Sequence, residues 1–358
     1  MSPNPLFTLC LESGGKIIMN VLVTGGLGFI GSHTVVELIN SGHSVTVIDN
    51  LSNSHLAVKE AIAKITGSEF NTYVIDILNY CDLLKIFQHN HFDAVIHFAG
   101  AKSVYESVND PLKYYSNNVV GSYNLLECMK TSGVNKLIFS SSATVYGAAE
   151  EMPLKEDCST NPNNPYGRTK LFVEEMCRDV CISNPNWSIA LLRYFNPVGA
   201  HESGLIGENP LGIPNNLFPI VTRVAAGVLD QLMVFGDGYE TPDGTGVRDY
   251  IHVMDLASGH TKALDFINSH SGVEVFNLGT GRGYSVMEVI NAFETYNGVK
   301  VSYKIVDYRL GDVGTCYSDP SKANDLLGWR AEKSLRDMCK EGWNYHLMSQ
   351  KNLLHNNR

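Results

Sequence analysis

Val21-Leu-Val-Thr-Gly25-Gly-Leu-Gly28-Phe-Ile-Gly31 is the segment from which the architecture of this chain can be worked out. A short β-branched run leads into three glycines spaced G-x-x-G-x-x-G, and an amphipathic segment follows. In a strand-turn-helix unit, Gly25 permits the tight turn, Gly28 lets the backbone approach a pyrophosphate, and Gly31 lets helix and strand pack closely. The amides and dipole of the helix N-terminus attract negative charge. The segment predicts a dinucleotide site, although a glycine trio alone is weak support for one.

The same alternation of short apolar runs and longer amphipathic segments continues along the chain. It predicts an α/β fold, a Rossmann-type doubly wound parallel sheet with a smaller mixed α/β C-terminal substrate domain. The first domain is expected over 19–195, with a returning segment near 248–267, and the second over the rest of 196–358. The predicted strands are 21–24, 44–48, 72–75, 94–97, 136–140 and 189–193. The predicted helices are 30–40, 57–65, 83–88, 112–130 and 167–181, followed by less regular ones ending at 226, at 253–267, 286–296 and 323–327, and from 335 onward.

An acidic residue at the end of the second predicted strand indicates which dinucleotide binds. Asp49 lies 18 residues beyond Gly31, where a carboxylate can accept hydrogen bonds from ribose hydroxyls and repel a 2′-phosphate. Asn50, rather than an arginine, follows it, which favours NAD over NADP. The alternative is that Asp49 simply ends a strand in a turn. Asp76 and residues 98–102 stand where adenine and the second ribose would lie, but Asp and Gly also end strands for turn reasons alone.

The composition argues against several kinds of partner. The 358 residues carry 27 basic and 37 acidic side chains, a formal net charge of -10. Such a chain lacks the basic surface of a nucleic-acid-binding protein, and no apolar run approaches the roughly 18–20 residues that span a bilayer. Eight scattered cysteines without zinc spacing suit a reducing, cytoplasmic compartment and predict no metal site. Residues 1–18 are expected to be a disordered or artificially added extension rather than a signal peptide.

The segment Tyr166-Gly-Arg-Thr-Lys170 indicates the chemistry. A spacing of four residues on a helix brings Tyr166 and Lys170 to one face. A phenol with a pKa near 10 is a poor base at neutral pH, but a lysine ammonium and a nicotinamidium nearby favour the phenolate. That group can take a proton from a sugar hydroxyl, and Ser142, at the end of the fifth strand, can bond the same oxygen. A bare Y-x-x-x-K is usually a surface pair, so its weight comes from the dinucleotide motif before it.

Longer motifs carry a resemblance to a known family. They are Phe139-Ser-Ser-Ser-Ala-Thr-Val-Tyr-Gly147, Pro165-Tyr-Gly-Arg-Thr-Lys170, Leu192-Arg-Tyr-Phe-Asn-Pro-Val-Gly-Ala-His201, Gly212-Ile-Pro-Asn-Asn-Leu217 and Asp243-Gly-Thr-Gly-Val-Arg-Asp-Tyr-Ile-His-Val-Met-Asp-Leu256. From Asn20 to the last helix the chain resembles the extended short-chain dehydrogenase/reductase superfamily and, within it, the UDP-galactose 4-epimerase family. The last three motifs are far more specific than the first two.

The resemblance implies a reaction without net redox change, the reversible epimerisation at C4 of the hexose of UDP-galactose and UDP-glucose. Tyr166 is implied to take the proton of the 4′-hydroxyl while hydride passes to NAD. The 4-keto sugar then turns over in the site, and hydride returns to its other face. NAD is therefore expected to stay bound through turnover. Family members are commonly homodimers, and the predicted helices 112–130 and 167–181 could pair across a two-fold axis.

The resemblance also implies the residues of the site. The catalytic group is Ser142, Tyr166 and Lys170. The implied cofactor contacts are Gly25, Gly28, Phe29, Ile30, Gly31, Asp49, Asn50, Leu51, Ser52, Asn53, Ser54, Asp76, Ile77, Phe98, Ala99, Gly100, Ala101, Lys102, Asn117, Tyr166, Lys170 and Phe195. The implied UDP-sugar contacts are Lys102, Ser142, Ala143, Thr144, Tyr194, Phe195, Asn196, Asn215, Asn216, Leu217, Met233, Phe235, Arg248, Arg309, Asp312 and Cys316.

Side-chain chemistry agrees with the implied nucleotide-sugar contacts. Arg248 and Arg309 offer planar guanidinium forks suited to a diphosphate, and the asparagines offer amides to uracil and phosphate. Taken singly, surface salt bridging and loop capping are the alternatives. Many bacterial family members carry Tyr where this chain has Cys316, and a small residue resembles the members that also accept N-acetylated sugars. Use of both UDP-glucose and UDP-N-acetylglucosamine is therefore a hypothesis, and a merely buried small side chain is the alternative.

Other activities fit the sequence less well. A 4,6-dehydratase needs an acid pair after the strand-five threonine, but Val145 and Tyr146 follow Thr144 here. A decarboxylase would need a glutamic acid that the equivalent region lacks. A plain alcohol dehydrogenase is the nearer alternative, and it would accumulate NADH during turnover. A regulator that senses NAD on this fold would be expected to lack Tyr166 and Lys170.

Overall fold

A parallel seven-stranded sheet lies at the centre of the molecule. The computed structural model describes residues 17–149, 151–212, 214, 216–309 and 312–356. Its strands are β1 (Asn20–Thr24), β2 (Ser44–Asp49), β3 (Asn71–Val74), β4 (Ala94–His97), β5 (Lys136–Ser142), β6 (Ser188–Tyr194), β7 (Asn196–Val198), β8 (Leu232–Phe235), β9 (Val247–His252), β10 (Gly272–Leu278), β11 (Gly283–Ser285), β12 (Tyr303–Val306) and β13 (Thr315–Cys316). The central sheet has the order β10-β6-β5-β4-β1-β2-β3, and its neighbouring strands are all parallel.

The predicted α/β fold class is confirmed, and the six predicted strands are found with ends shifted by at most two residues. The seventh strand, β10, was not predicted, because Glu274 interrupts its apolar run at the edge of the sheet. From β1 the chain builds the sheet in one direction through β2 and β3, and in the other through β4, β5 and β6. The strand order therefore reverses between β1 and β4. Open sheets of this kind bind ligands at the carboxyl ends of the strands beside such a reversal.

Helices cover both faces of the sheet. They are α1 (Phe29–Asn40), α2 (Ala57–Thr66), α3 (Tyr80–His89), α4 (Val104–Asn109), α5 (Pro111–Tyr114), α6 (Gly121–Thr131), α7 (Pro165–Ser183), α8 (Leu217–Ala225), α9 (Val253–Ser269), α10 (Val286–Asn297), α11 (Ser321–Leu327) and α12 (Leu335–Asn356). The predicted helix over 112–130 is confirmed in extent, because residues 111–131 are helical throughout, but it is not α-helical along its whole length. The structure has α5, then a π-helical turn over Tyr115–Val120, then α6.

The pattern of burial explains why the strands are recognisable in the sequence. Successive side chains of a strand point to opposite faces. Val21 and Val23 therefore pack with Val35 of α1 in one buried cluster, while Leu22 packs with Leu125 of α6 in another. Because both faces are covered, the strand reads as an almost continuous apolar run rather than as an alternation.

A second, smaller group of elements follows β6. Strands β11, β9 and β13 form one sheet with β7 paired to β9, and β8 pairs with β12. A separate apolar cluster holds residues of α8, α10 and α12 together with these strands. The predicted domain boundary after residue 195 falls between β6 and β7 and stays a prediction. Residues 1–16, most of the predicted extension, lie outside the described residues. Within the described part, the helices are too short or too polar to cross a membrane.

Candidate active site

The glycine turn between β1 and α1 has no room for side chains. Gly25 has a φ of +70°, and a Cβ atom there would lie 2.8 Å from the backbone nitrogen of Ala99. A Cβ atom on Gly31 would lie 2.2 Å from the carbonyl oxygen of Gly25. Helix α1 begins at Phe29, preceded by Gly28, with no side-chain cap and no acidic residue in its first turn. The N-terminal amides of α1 therefore present the positive potential that a pyrophosphate requires.

The loop after β2 is organised by the carboxylate of Asp49. It accepts hydrogen bonds from the backbone nitrogens of Leu27 (3.0 Å) and Leu51 (2.9 Å) and from Ser54 Oγ (2.7 Å). Asp49 therefore does end its strand in a turn, as the alternative interpretation predicts. A carboxylate offers about four lone-pair sites, so it can also accept from a ribose hydroxyl. Leu51 has a φ of +58°, a conformation that few non-glycine residues adopt.

Asn50 joins this loop to the loop after β3. Its Nδ2 donates to Asp76 Oδ2 at 2.9 Å, while Asp76 Oδ1 accepts from the backbone nitrogen of Leu78 at 2.8 Å. The neighbouring Ile77 is buried, and a Cβ atom on Gly121 would lie 2.6 Å from its Cδ1. The two loops predicted to contact the adenosine half of the cofactor therefore form one hydrogen-bonded unit.

Two consecutive asparagines hold the loop after β4. Asn117 Oδ1 and Asn118 Oδ1 both accept from the backbone nitrogen of Ala101, at 3.0 and 2.8 Å. Consecutive side chains on an α-helix point about 100° apart, whereas the wider π-helical turn lets both reach the same loop. Asn118 is 3% exposed and also donates to Thr169 Oγ1 of α7 at 3.0 Å. Sequence analysis named only Asn117, and the Asn-Asn doublet is the signal that could have revealed Asn118.

Helix α7 places Tyr166 in its first turn. Asn164 caps the helix by accepting a hydrogen bond from the backbone nitrogen of Gly167 at 2.9 Å, and Pro165 occupies the first helical position. Proline is suited to that position because its missing N–H would have no helical partner there. Lys170 therefore follows Tyr166 by about one turn on the same face, as the sequence predicts.

Strand β5 ends beside this helix face. Ser142 is its last residue, and its Oγ accepts from the backbone nitrogen of Thr144 at 3.2 Å and from Thr144 Oγ1 at 2.9 Å. Lys170 is buried; its Nζ donates to the carbonyl oxygen of Ser140 at 2.7 Å and lies 5.9 Å from the centre of the Tyr166 ring. The three residues predicted to be catalytic are thus brought together by β5 and α7.

Burial dominates the protonation of this group. It raises the pKa of Tyr166 above its usual value of 10.0, and a hydrogen bond with Ser142 opposes this only in part. Burial lowers the pKa of Lys170 from 10.5 to about 8. At neutral pH, Lys170 is therefore still mostly an ammonium, while Tyr166 is a phenol. The sequence predicts that Lys170 favours the phenolate form of Tyr166. With only the protein around Tyr166, burial has the larger effect and favours the phenol.

The predicted nucleotide-sugar residues meet on β8, β9 and the segment before β13. Arg248 Nη1 donates to two backbone carbonyl oxygens at 2.9 and 3.4 Å, and its Nη2 lies 3.6 Å from Asp312 Oδ1. The Arg309 guanidinium lies 4.0 Å from the centre of the Phe235 ring. Arg248 therefore does form the salt bridge that was the alternative to a phosphate contact, although its N···O distance is long for an ion pair. Its side chain is 21% exposed, so part of its donor fork is accessible.

Cys316 links this region to the catalytic end of the site. It lies opposite Arg248 in the pairing of β13 with β9. It also packs against a small apolar cluster that includes Phe195 and has Ala143 at its edge. Burial raises the pKa of the Cys316 thiol to about 11, so the side chain is neutral and behaves as a small apolar group.

Other predicted substrate contacts lie on elements of the second group. Asn196 begins β7, Leu217 begins α8, and Met233 is exposed on β8. Asn216 precedes α8, and Asn215 lies outside the described residues. Tyr194 is placed differently from the expectation of a substrate contact. It is 5% exposed, and its hydroxyl is hydrogen-bonded to Nε2 of the buried His260.

A buried ion pair behind the catalytic group was not predicted. Glu174 Oε1 accepts from Arg193 Nε at 3.0 Å and from Ser141 Oγ at 2.5 Å, and Glu174 Oε2 accepts from Arg193 Nη2 at 2.7 Å. Both charged side chains are almost fully buried. Glu174 follows Lys170 by one helical turn, and Ser141 precedes Ser142. Glu174 therefore connects α7 to β6 through Arg193 and to β5 through Ser141, next to the catalytic Ser142.

Comparisons with known proteins agree with this class of site. Fold and site together define an extended short-chain dehydrogenase/reductase, and residues 22–342 match the family model described as GDP-mannose 4,6 dehydratase. UDP-glucose 4-epimerase of Bacillus subtilis is 53% identical over 327 residues, which cover 91% of this chain and 96% of that protein. The chain belongs to the UDP-glucose 4-epimerase family.

Two solved structures resemble the chain over nearly its whole length. UDP-glucose 4-epimerase from Bifidobacterium longum, in complex with NAD+ and UDP, has a TM-score of 0.90 and 51% identity, covering 92% of this chain and 99% of that one. The UDP-Glc/GlcNAc 4-epimerase from Campylobacter jejuni has a TM-score of 0.81 and 38% identity, again covering 92% of this chain and 99% of that one.

The matched family model bears the name of a dehydratase, but the residues after Thr144 do not supply dehydratase chemistry. Val145 is fully buried, and Tyr146 donates its hydroxyl hydrogen to Asn277 Oδ1 at 2.6 Å in the interior. These two positions lack the acid pair that elimination of water from a 4-keto sugar would need. The structure therefore agrees with the sequence in disfavouring a 4,6-dehydratase.

Proposed function

We propose that this protein interconverts UDP-galactose and UDP-glucose by inverting C4 of the hexose. The observation that carries the proposal is the meeting of Ser142, Tyr166 and Lys170 beside a side-chain-free glycine turn. When bound, NAD supplies a nicotinamide ring that accepts a hydride from C4 and returns it. The reaction leaves the cofactor in its starting redox state, so the same NAD serves successive turnovers.

The three catalytic side chains handle the proton. As the phenolate, the form that the charges of Lys170 and of a bound nicotinamidium would favour, Tyr166 Oη takes the proton from the 4′-hydroxyl and gives it back once the hexose has presented its other face. Ser142 hydrogen-bonds to the phenol and limits the rise of its pKa. The ammonium of Lys170 stabilises the phenolate form by its charge. Its bond to the Ser140 carbonyl holds it in the buried position from which it can do so.

The residues at the carboxyl edge of the sheet fit NAD. The unobstructed turn at Gly25 to Gly31 and the uncapped N-terminus of α1 suit a pyrophosphate. Asp49 and the loop it organises suit the adenosine ribose, with Asn50 next to it in place of the arginine that a 2′-phosphate would favour. Asn117 and Asn118 hold the loop formed by 98–102, which would lie against the second ribose.

The predicted nucleotide-sugar residues would bind the diphosphate of the UDP-sugar. Arg248 and Arg309 are the cations of this region, and a guanidinium binds phosphate oxygens in a bidentate geometry. Phe235, against which Arg309 packs, provides an apolar face for a planar base. We assign UDP-hexose binding to this group together with Asn196, Asn216 and Met233.

A direct assay tests the proposal. The purified protein is incubated with UDP-galactose without added NAD, and the products are separated by chromatography. UDP-glucose is expected to form without accumulation of NADH, which separates the activity from that of an alcohol dehydrogenase. Failure to form UDP-glucose both with and without added NAD would overturn the proposal.

The position of Cys316 favours a second substrate class. Its small side chain, in the same apolar cluster as Ala143 and Phe195, occupies a place where a tyrosine would extend an aromatic ring. The volume left beside the hexose could accommodate a 2-acetamido group. We therefore propose that the protein also interconverts UDP-N-acetylglucosamine and UDP-N-acetylgalactosamine.

Filling this space should separate the two substrate classes. In Cys316→Tyr, conversion of UDP-N-acetylglucosamine is expected to fall at least about tenfold relative to UDP-galactose, because steric exclusion of a few atoms costs at least about 1.4 kcal/mol. Cys316→Ala, which leaves the space open, is the matched control and should retain both conversions. A wild-type protein that converts UDP-galactose but not the N-acetylated sugars would refute the proposal.

The homodimer remains a proposal, supported by an exposed apolar face. Tyr105, Leu112, Tyr123 and Phe172 lie on α4 to α7, with 49–78% of each side chain exposed. Large apolar side chains exposed on neighbouring helices are typical of interaction sites, and a face that pairs with its own copy gives a two-fold dimer.

A charge on this face should produce monomers. Leu112→Glu is expected to lower the molar mass in solution from two chains to one, because the glutamate would have to be desolvated at the interface. Light scattering after size-exclusion chromatography measures this. Leu326→Glu, at an exposed leucine of α11, is the control and should stay dimeric. A monomeric wild-type protein would contradict the proposed dimer.

A cytoplasmic location is also proposed. The seven cysteines in the described part of the chain are free thiols, as expected in a reducing compartment.

A further inference from the structure

Glu208 joins two regions that are expected to bind the same ligand. Its Oε1 accepts hydrogen bonds from Lys102 Nζ and from Asn216 Nδ2, each at 2.8 Å. Lys102 belongs to the loop after β4, whereas Asn216 precedes α8 in the second group of elements. A single carboxylate oxygen therefore bridges the loop after β4 and the residue that precedes α8.

The burial of this carboxylate indicates that its contacts are specific. The Glu208 side chain is 9% exposed, while that of Lys102 is 47% exposed. Removing a carboxylate from water is costly unless it is paired and hydrogen-bonded, and Glu208 has both a cation and an amide. An exposed surface ion pair would not need to bury one partner to this extent.

The same segment also reaches the loop organised by Asp49. The backbone nitrogen of Leu211 donates to Asn53 Oδ1 at 3.0 Å. Residues 208–211 thus contact both loops that flank the proposed cofactor site, one through Lys102 and one through Asn53. Glu208 thus contacts two residues, Lys102 and Asn216, that are expected to contact the UDP-sugar.

We propose that Glu208 is a positioning residue for the UDP-hexose, which holds Lys102 and Asn216 in the arrangement that receives the ligand. A lysine side chain loses rotamer entropy when it is ordered, so a fixed partner reduces the cost of ordering it on binding. The bond from Asn216 Nδ2 also fixes which way its carboxamide points, with Oδ1 turned away from the carboxylate. The role rests on the proposed epimerase function and acts through binding, not through the proton transfer.

Two other roles for Glu208 predict different results. If the carboxylate mainly repels the anionic diphosphate, removing it should lower KM. If it only ties the two regions together, removing it should lower the melting temperature and leave KM unchanged. A positioning role instead predicts a higher KM at a nearly unchanged kcat, since Tyr166 and Lys170 are not altered.

Kinetics of Glu208 variants separate these roles. Glu208→Ala is expected to raise KM for UDP-galactose about ten- to hundredfold and to weaken UDP binding, measured by calorimetry, by a similar factor, because bonds to a charged group are lost. The value of kcat should stay within about threefold. Glu208→Gln, which keeps an acceptor but not the charge, should lie between wild type and Glu208→Ala. Glu202→Gln, at an exposed acid of the same segment, is the matched control and should behave as wild type.

A double variant tests whether Glu208 acts through Lys102. Lys102→Met with Glu208→Ala should raise KM by clearly less than the product of the two single effects. Independent effects of the two substitutions on KM would contradict the proposal that Glu208 acts through Lys102.

An unchanged or lowered KM in Glu208→Ala would overturn the positioning role. If wild type and Glu202→Gln failed to convert UDP-galactose, the proposed function would fail, and UDP calorimetry would still decide the role of Glu208 in binding.

Discussion

Replacing Tyr166 by phenylalanine should lower the rate of UDP-galactose conversion by about 10²–10⁴-fold and leave the protein loaded with NAD. The substitution removes only the phenolic oxygen, which is the group positioned to take the 4′-proton. The ring and the helix start at Pro165 remain, and so does Lys170 with its bond to the Ser140 carbonyl. The loss is therefore expected in kcat, with a much smaller change in KM.

Retention of the cofactor distinguishes lost chemistry from lost folding. The glycine turn, the Asp49 loop and the Asn117–Asn118 contacts do not involve the phenolic oxygen, so NAD released on denaturation should match that of wild type. Tyr296→Phe, at an exposed position on α10, is the matched control and should keep full activity. A Tyr166→Phe protein with activity within about threefold of wild type would show that another group takes the proton.

The central sheet could be predicted because its strands are buried on both faces. Runs such as Val21 to Val23 stay apolar at every position, which local sequence reading detects directly. Strand β10 escaped prediction because Glu274 breaks its run, and only its pairing with β6 identifies it as a strand. The π-helical turn could not be predicted for a related reason. It is stabilised by the contacts of Asn117 and Asn118 to a loop that is distant in sequence.

The catalytic group could be predicted because its members have fixed spacings or follow recognisable strands. The residues that hold the group in place could not. Glu208 meets Lys102 across 106 positions of the chain, and no periodicity records such a contact. Glu174 and Glu175 are adjacent glutamates on one helix, yet their side chains are 0% and 59% exposed. Nothing in the local sequence indicates which of the two is buried.

The burial of Glu174, in contrast to the exposure of Glu175, leads to the second large expected effect. Glu174→Gln should lower the free energy of unfolding by about 3–5 kcal/mol, because it leaves the Arg193 guanidinium charged, buried and without a counterion. Arg193 is 2% exposed and cannot turn to water. A guanidinium stays protonated in proteins, so Arg193 cannot avoid the cost by losing its proton.

Glu175→Gln is a closely matched control. It makes the same chemical change one residue along α7, at an exposed pair with Arg178 whose atoms are 3.3 Å apart. Exposed pairs contribute about 0–1 kcal/mol, so denaturant unfolding of this variant should be close to wild type. Equal stability of the two variants would show that the buried pair does not hold α7 against β6.

A double variant separates the cost of an unpaired charge from the value of the pair. In Glu174→Gln with Arg193→Met, no buried charge is left, so much of the stability lost in Glu174→Gln should return. If the pair also positions the catalytic residues through Ser141, the double variant should recover stability but keep a reduced kcat, because Ser141 and α7 remain without their shared carboxylate. Full recovery of kcat together with stability would instead assign Glu174 and Arg193 to stability alone.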